Sequence, residues 1–182
     1  MIHEVPNFLS KEVCEQAILY YKSTPEVRLP HQEHDKFFWG RTKPLCTIQD
    51  PGVRKMFRVF ETMMLQTIIK LFPDDGFIYT ESCDIVKWPV GWSMGTHTDN
   101  LPDPKGHPGS DLTNRDYTTV CYLNDNYEGG STFFPEYDQE CVPEQGKVVF
   151  FPAGIQHGVT EVKGNTRYTI ATWFTKRSEM IY

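Results

Sequence analysis

The strongest constraint on this chain comes from three residues, His97, Asp99 and the distant His157. Side chains along a strand alternate with a period of 2, so His97 and Asp99 can share one face. His157 joins them only if the fold doubles back on itself. Two imidazoles and one carboxylate meeting at one point make a three-donor metal site with coordination positions left open. Arg167 stands ten residues beyond His157 and opens another β-rich stretch, where it can hold an anion near such a centre. A lone His-x-Asp is usually two polar side chains on a surface strand. The grouping therefore rests on what surrounds it.

The surrounding pattern changes character near Gly76. Before it, two helical stripes stand out. Ser10 is placed to cap a helix running to about Lys22, with Glu12 in its first turn. Its inward face carries Val13, Ala17 and Tyr20 or Tyr21, extended by Cys14 and Ile18. Asp50-Pro51 signals a second helix start, an N-cap followed by proline at the first helical position. Val53, Met56, Phe57, Phe60, Met63, Met64, Ile68 and Leu71 then recur at helical spacing, with the methionines as core filler. Residues 1–9 read as a short strand or arm, and Phe37 to Arg41 as a short strand leading into a loop. His31, His34 and His107 fall in loop-like stretches and read as solvated histidines.

After Gly76 the pattern is β. Strands are expected over Phe77–Trp88, Met94–Asp99, Asp116–Leu123, Ser131–Phe134, Lys147–Phe151 and Arg167–Phe174, with a Pro-Ala-Gly turn delivering His157. Residues 100–116 are rich in Pro, Gly and Asp and read as a lid-like loop after the ligand strand. Helices followed by seven or eight short strands suggest helices packed on one side of a β-sandwich or open barrel. With 182 residues the expectation is a single domain over 1–182, a helical support region at 1–76 and a β core at 77–182.

Charge and cysteine usage narrow the partners. A net charge of -6 argues against nucleic acid, which needs a basic face. No run approaches the roughly 18 apolar residues of a membrane span, and Met1 to Pro6 lacks the basic-then-apolar pattern of a signal peptide. Five cysteines, an odd number without a Cys-x-x-Cys pair, fit reduced thiols and a cytoplasmic location.

Several stretches also carry a resemblance. They are His97-Thr98-Asp99, Arg115 followed by Tyr122-Leu123-Asn124, Glu128 to Phe133, Pro143-Glu144-Gln145-Gly146, His157-Gly158-Val159, and Arg167 to Trp173. In this order, from Trp88 to Trp173, the chain resembles the Fe(II)- and 2-oxoglutarate-dependent dioxygenases, in their prolyl 4-hydroxylase-like branch. The resemblance implies a mainly β fold with N-terminal helices buttressing a double-stranded β-helix, or jelly-roll, core. It implies that His97, Asp99 and His157 ligate Fe(II). It also implies that 2-oxoglutarate chelates the metal while its distal carboxylate meets Arg167 and the Tyr122 hydroxyl, with Thr169 beside them. O2 is the co-oxidant, ascorbate the expected reductant, and the substrate a prolyl residue in a peptide or protein. Trp88 and Met94 stand where relatives often carry Tyr, and Arg167 where procollagen-type relatives carry Lys; both leave the substrate open.

Other readings remain. One is a non-oxidative, cupin-like metal-binding or isomerase module, which has no need of Arg167. Others are a silent binding domain and an oxygenase acting on a free amino acid, another small molecule or a nucleobase. Arg115 either contacts substrate or pairs with a nearby carboxylate. Trp88, Trp92 and Trp173 either line a pocket or pack the core.

Overall fold

The computed structural model describes residues 1–25, 42–44, 47–101 and 112–177. His31, His34, the expected Phe37–Arg41 strand, His107 and most of the 100–116 loop lie outside these residues. An N-terminal strand, β1 (His3–Val5), leads into helix α1 (Lys11–Ser23). The Ser10 side chain caps α1 by accepting from the Val13 N–H at 3.4 Å. A short strand β2 (Thr42–Pro44) precedes helix α2 (Pro51–Leu71), which starts where Asp50 accepts from the Val53 N–H at 2.8 Å. The remaining strands are β3 (Tyr79–Trp88), β4 (Met94–His97), β5 (Tyr117–Tyr122), β6 (Glu128–Gly129), β7 (Thr132–Phe134) and β8 (Gln139–Cys141). Last come β9 (Val148–Pro152), β10 (His157–Val159), β11 (Val162–Lys163) and β12 (Arg167–Thr175).

These strands form a six-stranded sheet in the order β1-β9-β5-β12-β3-β2 and a four-stranded sheet in the order β4-β10-β7-β8, with β11 and β6 as a small ribbon. All pairings are antiparallel. The fold is mainly β, two sheets facing each other as in a jelly roll, with both helices on one outer face, as the sequence pattern suggests.

Period-2 alternation sorts each central strand between two cores. Cys83, Ile85, Cys121, Ile170 and Phe174 face the helices and meet Cys14, Ala17, Phe57, Phe60, Met64 and Ile68. The opposite face of the same sheet presents Val86, Trp88, Ala171 and Trp173 on one side and Tyr122, Val149 and Phe151 on the other, toward the four-stranded sheet. Strand β12, buried along its whole length, divides the helix-facing core from the space between the sheets. The buried cysteines Cys14, Cys83, Cys121 and Cys141 are thiols, not disulfides. Among the described residues no helix is long and apolar enough to cross a membrane.

Packing is tight where β10 runs between β4 and β7. A Cβ added at Gly158 would stand 2.5 Å from the Phe133 ring and 2.8 Å from the Met94 carbonyl. Only a residue without a side chain lets the three strands approach this far. Gly158→Ala is expected to destabilise the fold by about 2 kcal/mol, lowering Tm by about 4–8 °C for a chain of this size. Differential scanning calorimetry checks this.

Candidate metal centre

The antiparallel ladder between β4 and β10 sets His157 directly opposite His97, and opposed residues on one face bring their side chains together. The two rings lie 4.4 Å apart between centroids, tilted by 49°. Between the pairs His157–His97 and Val159–Met94, Gly95 and Thr96 oppose Gly158 alone. This is a β-bulge, a device that re-aims a side chain. It leaves the Gly95 carbonyl 2.9 Å from Nδ1 of His97. At His157 the Ile155 carbonyl takes the same role, 3.0 Å from Nδ1. With Nδ1–H donating to a carbonyl in each ring, Nε2 is left as the lone-pair nitrogen, the tautomer a metal requires.

Strand β4 ends at His97, so Asp99 stands just past it rather than on it. Its backbone N–H donates to the Ala153 carbonyl at 2.9 Å, which extends the alignment of the two segments by one more bond. The carboxylate points between the imidazoles. Oδ1 lies 3.6 Å from His97 Nε2, and Oδ2 lies 3.5 Å from His157 Nε2. The Thr118 hydroxyl and the Trp173 indole N–H donate to Oδ2 at 2.7 and 3.1 Å. These are neighbours across the β5–β12 ladder, so one pair of strands fixes the carboxylate. Potential ligand atoms of all three residues lie within 4.8 Å of one another.

The electrostatics suit a cation. Burial alone would raise the Asp99 carboxyl, but the imidazoles of His97 and His157 and the Thr118 hydroxyl outweigh it and hold the group well below the usual carboxylate range. Burial pulls His157 down, so it stays neutral near pH 7. His97 also loses some basicity to burial, but Asp99 and the Gly95 carbonyl push it above its ordinary value. A fixed anion, a neutral imidazole and an imidazole that must shed a proton form a donor set for a divalent cation.

The three residues line one cavity together with Arg167, Thr169, Ala171 and Trp173 of β12 and with Val86, Trp88, Val120 and Val159. Arg167 is only 1% exposed. Its guanidinium lies over the rings of Trp88 and Tyr122, 4.8 and 5.3 Å from their centroids. Among the described residues no carboxylate stands within ion-pair distance of it, and its Nε and Nη1 have no hydrogen-bond partner. A buried cation without a counter-charge costs several kcal/mol, and an anionic ligand in the cavity removes that cost.

The candidates named from the sequence thus converge, with one qualification. Tyr122 is buried beside the cavity, but its hydroxyl bridges to the four-stranded sheet, donating to Thr132 Oγ1 at 2.8 Å or to the Cys141 carbonyl at 3.0 Å. Arg115 pairs with a carboxylate, Glu81, at 3.0 Å while stacked 4.1 Å over the Trp173 ring. Trp88 and Trp173 line the cavity, and Trp92 does not. The sequence pattern did not single out Thr118. Alternation along β5 puts it on the face of Val120 and Tyr122, but only the register with β12 shows that it meets Asp99. Nor did Asp84 stand out. It sits across from Ala171 and Pro44 in the ladder, and burial pushes its carboxyl up to about 7, against the pull of Arg115.

Comparison with known proteins agrees with this geometry. Residues 84–175 match the family model of the 2OG-Fe(II) oxygenase superfamily. Prolyl 3-hydroxylase 2 of Homo sapiens is 37% identical over 92 residues, covering 43% of this chain. The chain spans only 13% of the length of that curated relative. Among solved structures, the viral collagen prolyl hydroxylase of Paramecium Bursaria Chlorella virus-1, in its 2OG complex, superposes with a TM-score of 0.70 at 17% identity, covering 96% of this chain and 94% of that one. A prolyl hydroxylase from Trichoplax adhaerens, in complex with a hypoxia inducible factor peptide fragment, gives 0.71 at 18% identity, over 98% of this chain and 85% of that one. These likenesses establish the jelly-roll fold.

Two measurements test the electrostatics. Cation binding needs Nε2 of both imidazoles free of protons, so Co(II) affinity by calorimetry is expected to fall about tenfold per pH unit once His97 is protonated and about 100-fold per unit where His157 is protonated as well. It should be lost in Asp99→Ala. The raised Asp84 carboxyl works against the fold when ionised. Between pH 4 and 7 the folded state binds more protons than the unfolded chain there, so stability drops as pH rises. Asp84→Asn is therefore expected to raise Tm by about 3–6 °C at pH 8 and by much less at pH 5.

Proposed function

Because this chain belongs to the 2OG-Fe(II) oxygenase superfamily, we propose that it is an Fe(II)- and 2-oxoglutarate-dependent dioxygenase that hydroxylates an aliphatic C–H bond, that of a prolyl residue in a peptide or protein. The observation that carries this reading is the buried, counter-charge-free Arg167 in the same cavity as His97, Asp99 and His157. A module using its metal only as a Lewis acid has no need for a buried arginine there. A cosubstrate that is both a metal chelator and a carboxylate needs both ends of this cavity.

In this reading Nε2 of His97, Nε2 of His157 and the Asp99 carboxylate hold Fe(II). When bound, the metal and 2-oxoglutarate supply the oxidising chemistry, consuming O2 and releasing succinate and CO2 as the substrate gains a hydroxyl group, with ascorbate keeping the iron reduced. The chain itself contributes fixed geometry and a dry wall. The Gly95 and Ile155 carbonyls hold the imidazole tautomers, and Thr118 and Trp173 hold the carboxylate. Arg167, whose planar fork matches a carboxylate, receives the distal end of 2-oxoglutarate, with Thr169 two residues along the same strand face. Val86, Val120, Val159 and Ala171 exclude water from the space between. Arg115, stacked on Trp173 and held by Glu81, braces the indole that holds the Asp99 carboxylate.

Peptidyl proline is supported by the names of the relatives and by the peptide complex of the Trichoplax adhaerens neighbour. The ring position divides them. A Pseudomonas putida fold neighbour is a prolyl-4-hydroxylase, whereas the sequence relative is a prolyl 3-hydroxylase, which favours the 3-position as a second reading.

The test is succinate formation from 2-oxoglutarate with Fe(II), ascorbate and air, with and without proline-containing peptides, followed by product analysis. The expected outcome is peptide-stimulated succinate from the native protein, none from His157→Ala, and an apparent KM for 2-oxoglutarate raised at least about 100-fold in Arg167→Met. Stimulation by free amino acids instead would move the substrate to that class. No succinate from folded, iron-loaded protein would overturn the reading.

A further inference from the structure

Strand β3 carries one residue more than its ladder with β12 can use. Trp173 pairs with Ser82 and Phe174 with Thr80, so Glu81 is the extra residue of a β-bulge. Strict alternation from Cys83 and Ile85 would turn Glu81 toward the helices. The bulge frees it from that pattern, and a bulge beside a site is a device for re-aiming a side chain. The carboxylate oxygen Oε2 meets Nε of Arg115 at 3.0 Å and accepts from the Ser82 hydroxyl at 2.9 Å. Both members of the ion pair are largely withdrawn from solvent, the Arg115 side chain 13% exposed and that of Glu81 21%.

The Arg115 guanidinium in turn lies 4.1 Å from the centroid of the Trp173 ring, where a cation is attracted to the negative face of the indole. Trp173 donates its N–H to Oδ2 of Asp99 at 3.1 Å, beside the Thr118 hydroxyl at 2.7 Å. A carboxylate oxygen has about two lone-pair sites, so these two donors fill Oδ2 and leave Oδ1 open. An indole N–H lies in the plane of its ring, so a tilt of the ring swings the donor away from Oδ2. Whatever fixes the tilt of Trp173 therefore fixes the Asp99 carboxylate. Without Glu81 the guanidinium has another carboxyl to turn to, that of Asp84, which already feels its charge.

We propose that Glu81 is a positioning residue of the metal centre: through Arg115 and the Trp173 indole it fixes the Asp99 carboxylate, so that Oδ1 faces the cation while Oδ2 stays engaged by the fold. A residue that does not line the cavity thus controls a metal ligand. This role rests on the reading of Asp99 as a metal ligand and does not depend on which C–H bond is oxidised.

The test measures Co(II) affinity and the Co(II) ligand-field spectrum of the folded chain, native and with Glu81→Gln, Arg115→Met, Trp173→Phe, and Glu81→Gln combined with Trp173→Phe. Glu81→Gln and Arg115→Met are each expected to weaken Co(II) about 10-fold, the lower end of the range for groups that orient metal ligands. Both should give the spectrum of Trp173→Phe rather than that of the native protein. In the Trp173→Phe background, Glu81→Gln is expected to add less than about twofold, because the route to Asp99 is already cut. Arg115→Met serves the same cycle if Trp173→Phe does not fold. An undiminished effect of Glu81→Gln in that background would mean that its charge acts on the cation directly, and would overturn the role. Unchanged Co(II) affinity in Glu81→Gln with a lowered Tm, the result for a pair that only stabilises the fold, would overturn it too. A native protein that does not bind Co(II), or an Asp99→Ala variant that binds it as tightly, would fail the ligand reading itself, separately from Glu81.

Discussion

The antiparallel pairing of β4 with β10 is the contact on which the rest depends. It sets His97 and His157 opposite each other, and no other pairing of these short strands would do so. A slip of one residue would send one imidazole to the other face of the sheet. Gly158 permits the close approach, the bulge at Gly95 and Thr96 aims the His97 ring, and the Asp99 N–H bond to Ala153 carries the alignment one step further. Each of these features is local, and together they bring three ligand-type side chains to one point.

Strand β12 connects that point to the rest of the fold. One face of it holds Ile170 and Phe174 against the helices. The other holds Trp173, which ties down the Asp99 carboxylate, and, at the far end of the strand, Arg167. Stability and chemistry therefore share one backbone. The helices that bury one face of β12 also hold rigid the face that lines the cavity. The unsatisfied groups follow the same division. The described side-chain atoms that are buried without hydrogen bonds include Nε and Nη1 of Arg167, in the cavity. An absent hydrogen bond there is the expected mark of a site built for a charged guest.

Much of this was legible in the sequence, because the signals are local. Ser10 and Asp50-Pro51 mark helix starts through capping chemistry, and both cap as expected. The methionine- and phenylalanine-rich stripe of α2 is core. His97, Asp99, His157 and Arg167 were singled out by donor type and by the family resemblance; the expected Met94–Asp99 strand stops at His97, so strand period alone does not place Asp99, whereas it does place Arg167, Thr169, Ala171 and Trp173 on the cavity face. What was not legible depends on register and on the third dimension. Nothing near Thr118 in the chain says that it will meet Asp99. The Tyr122 hydroxyl turns toward Thr132 and Cys141 because β7 and β8 lie opposite it. Asp84 lies on an otherwise ordinary strand, and its raised carboxyl pKa comes from burial.

The central claim is that one cavity holds a divalent cation between His97, Asp99 and His157 and a dicarboxylate against Arg167. The most direct test is a crystal structure of the protein with Mn(II) and 2-oxoglutarate, with the metal located by its anomalous signal. The account predicts a single metal peak shared by Nε2 of both histidines and the Asp99 carboxylate. It also predicts that the diacid reaches from that metal to the Arg167 guanidinium. A metal bound elsewhere, or a diacid whose far carboxylate leaves Arg167 empty, would contradict it.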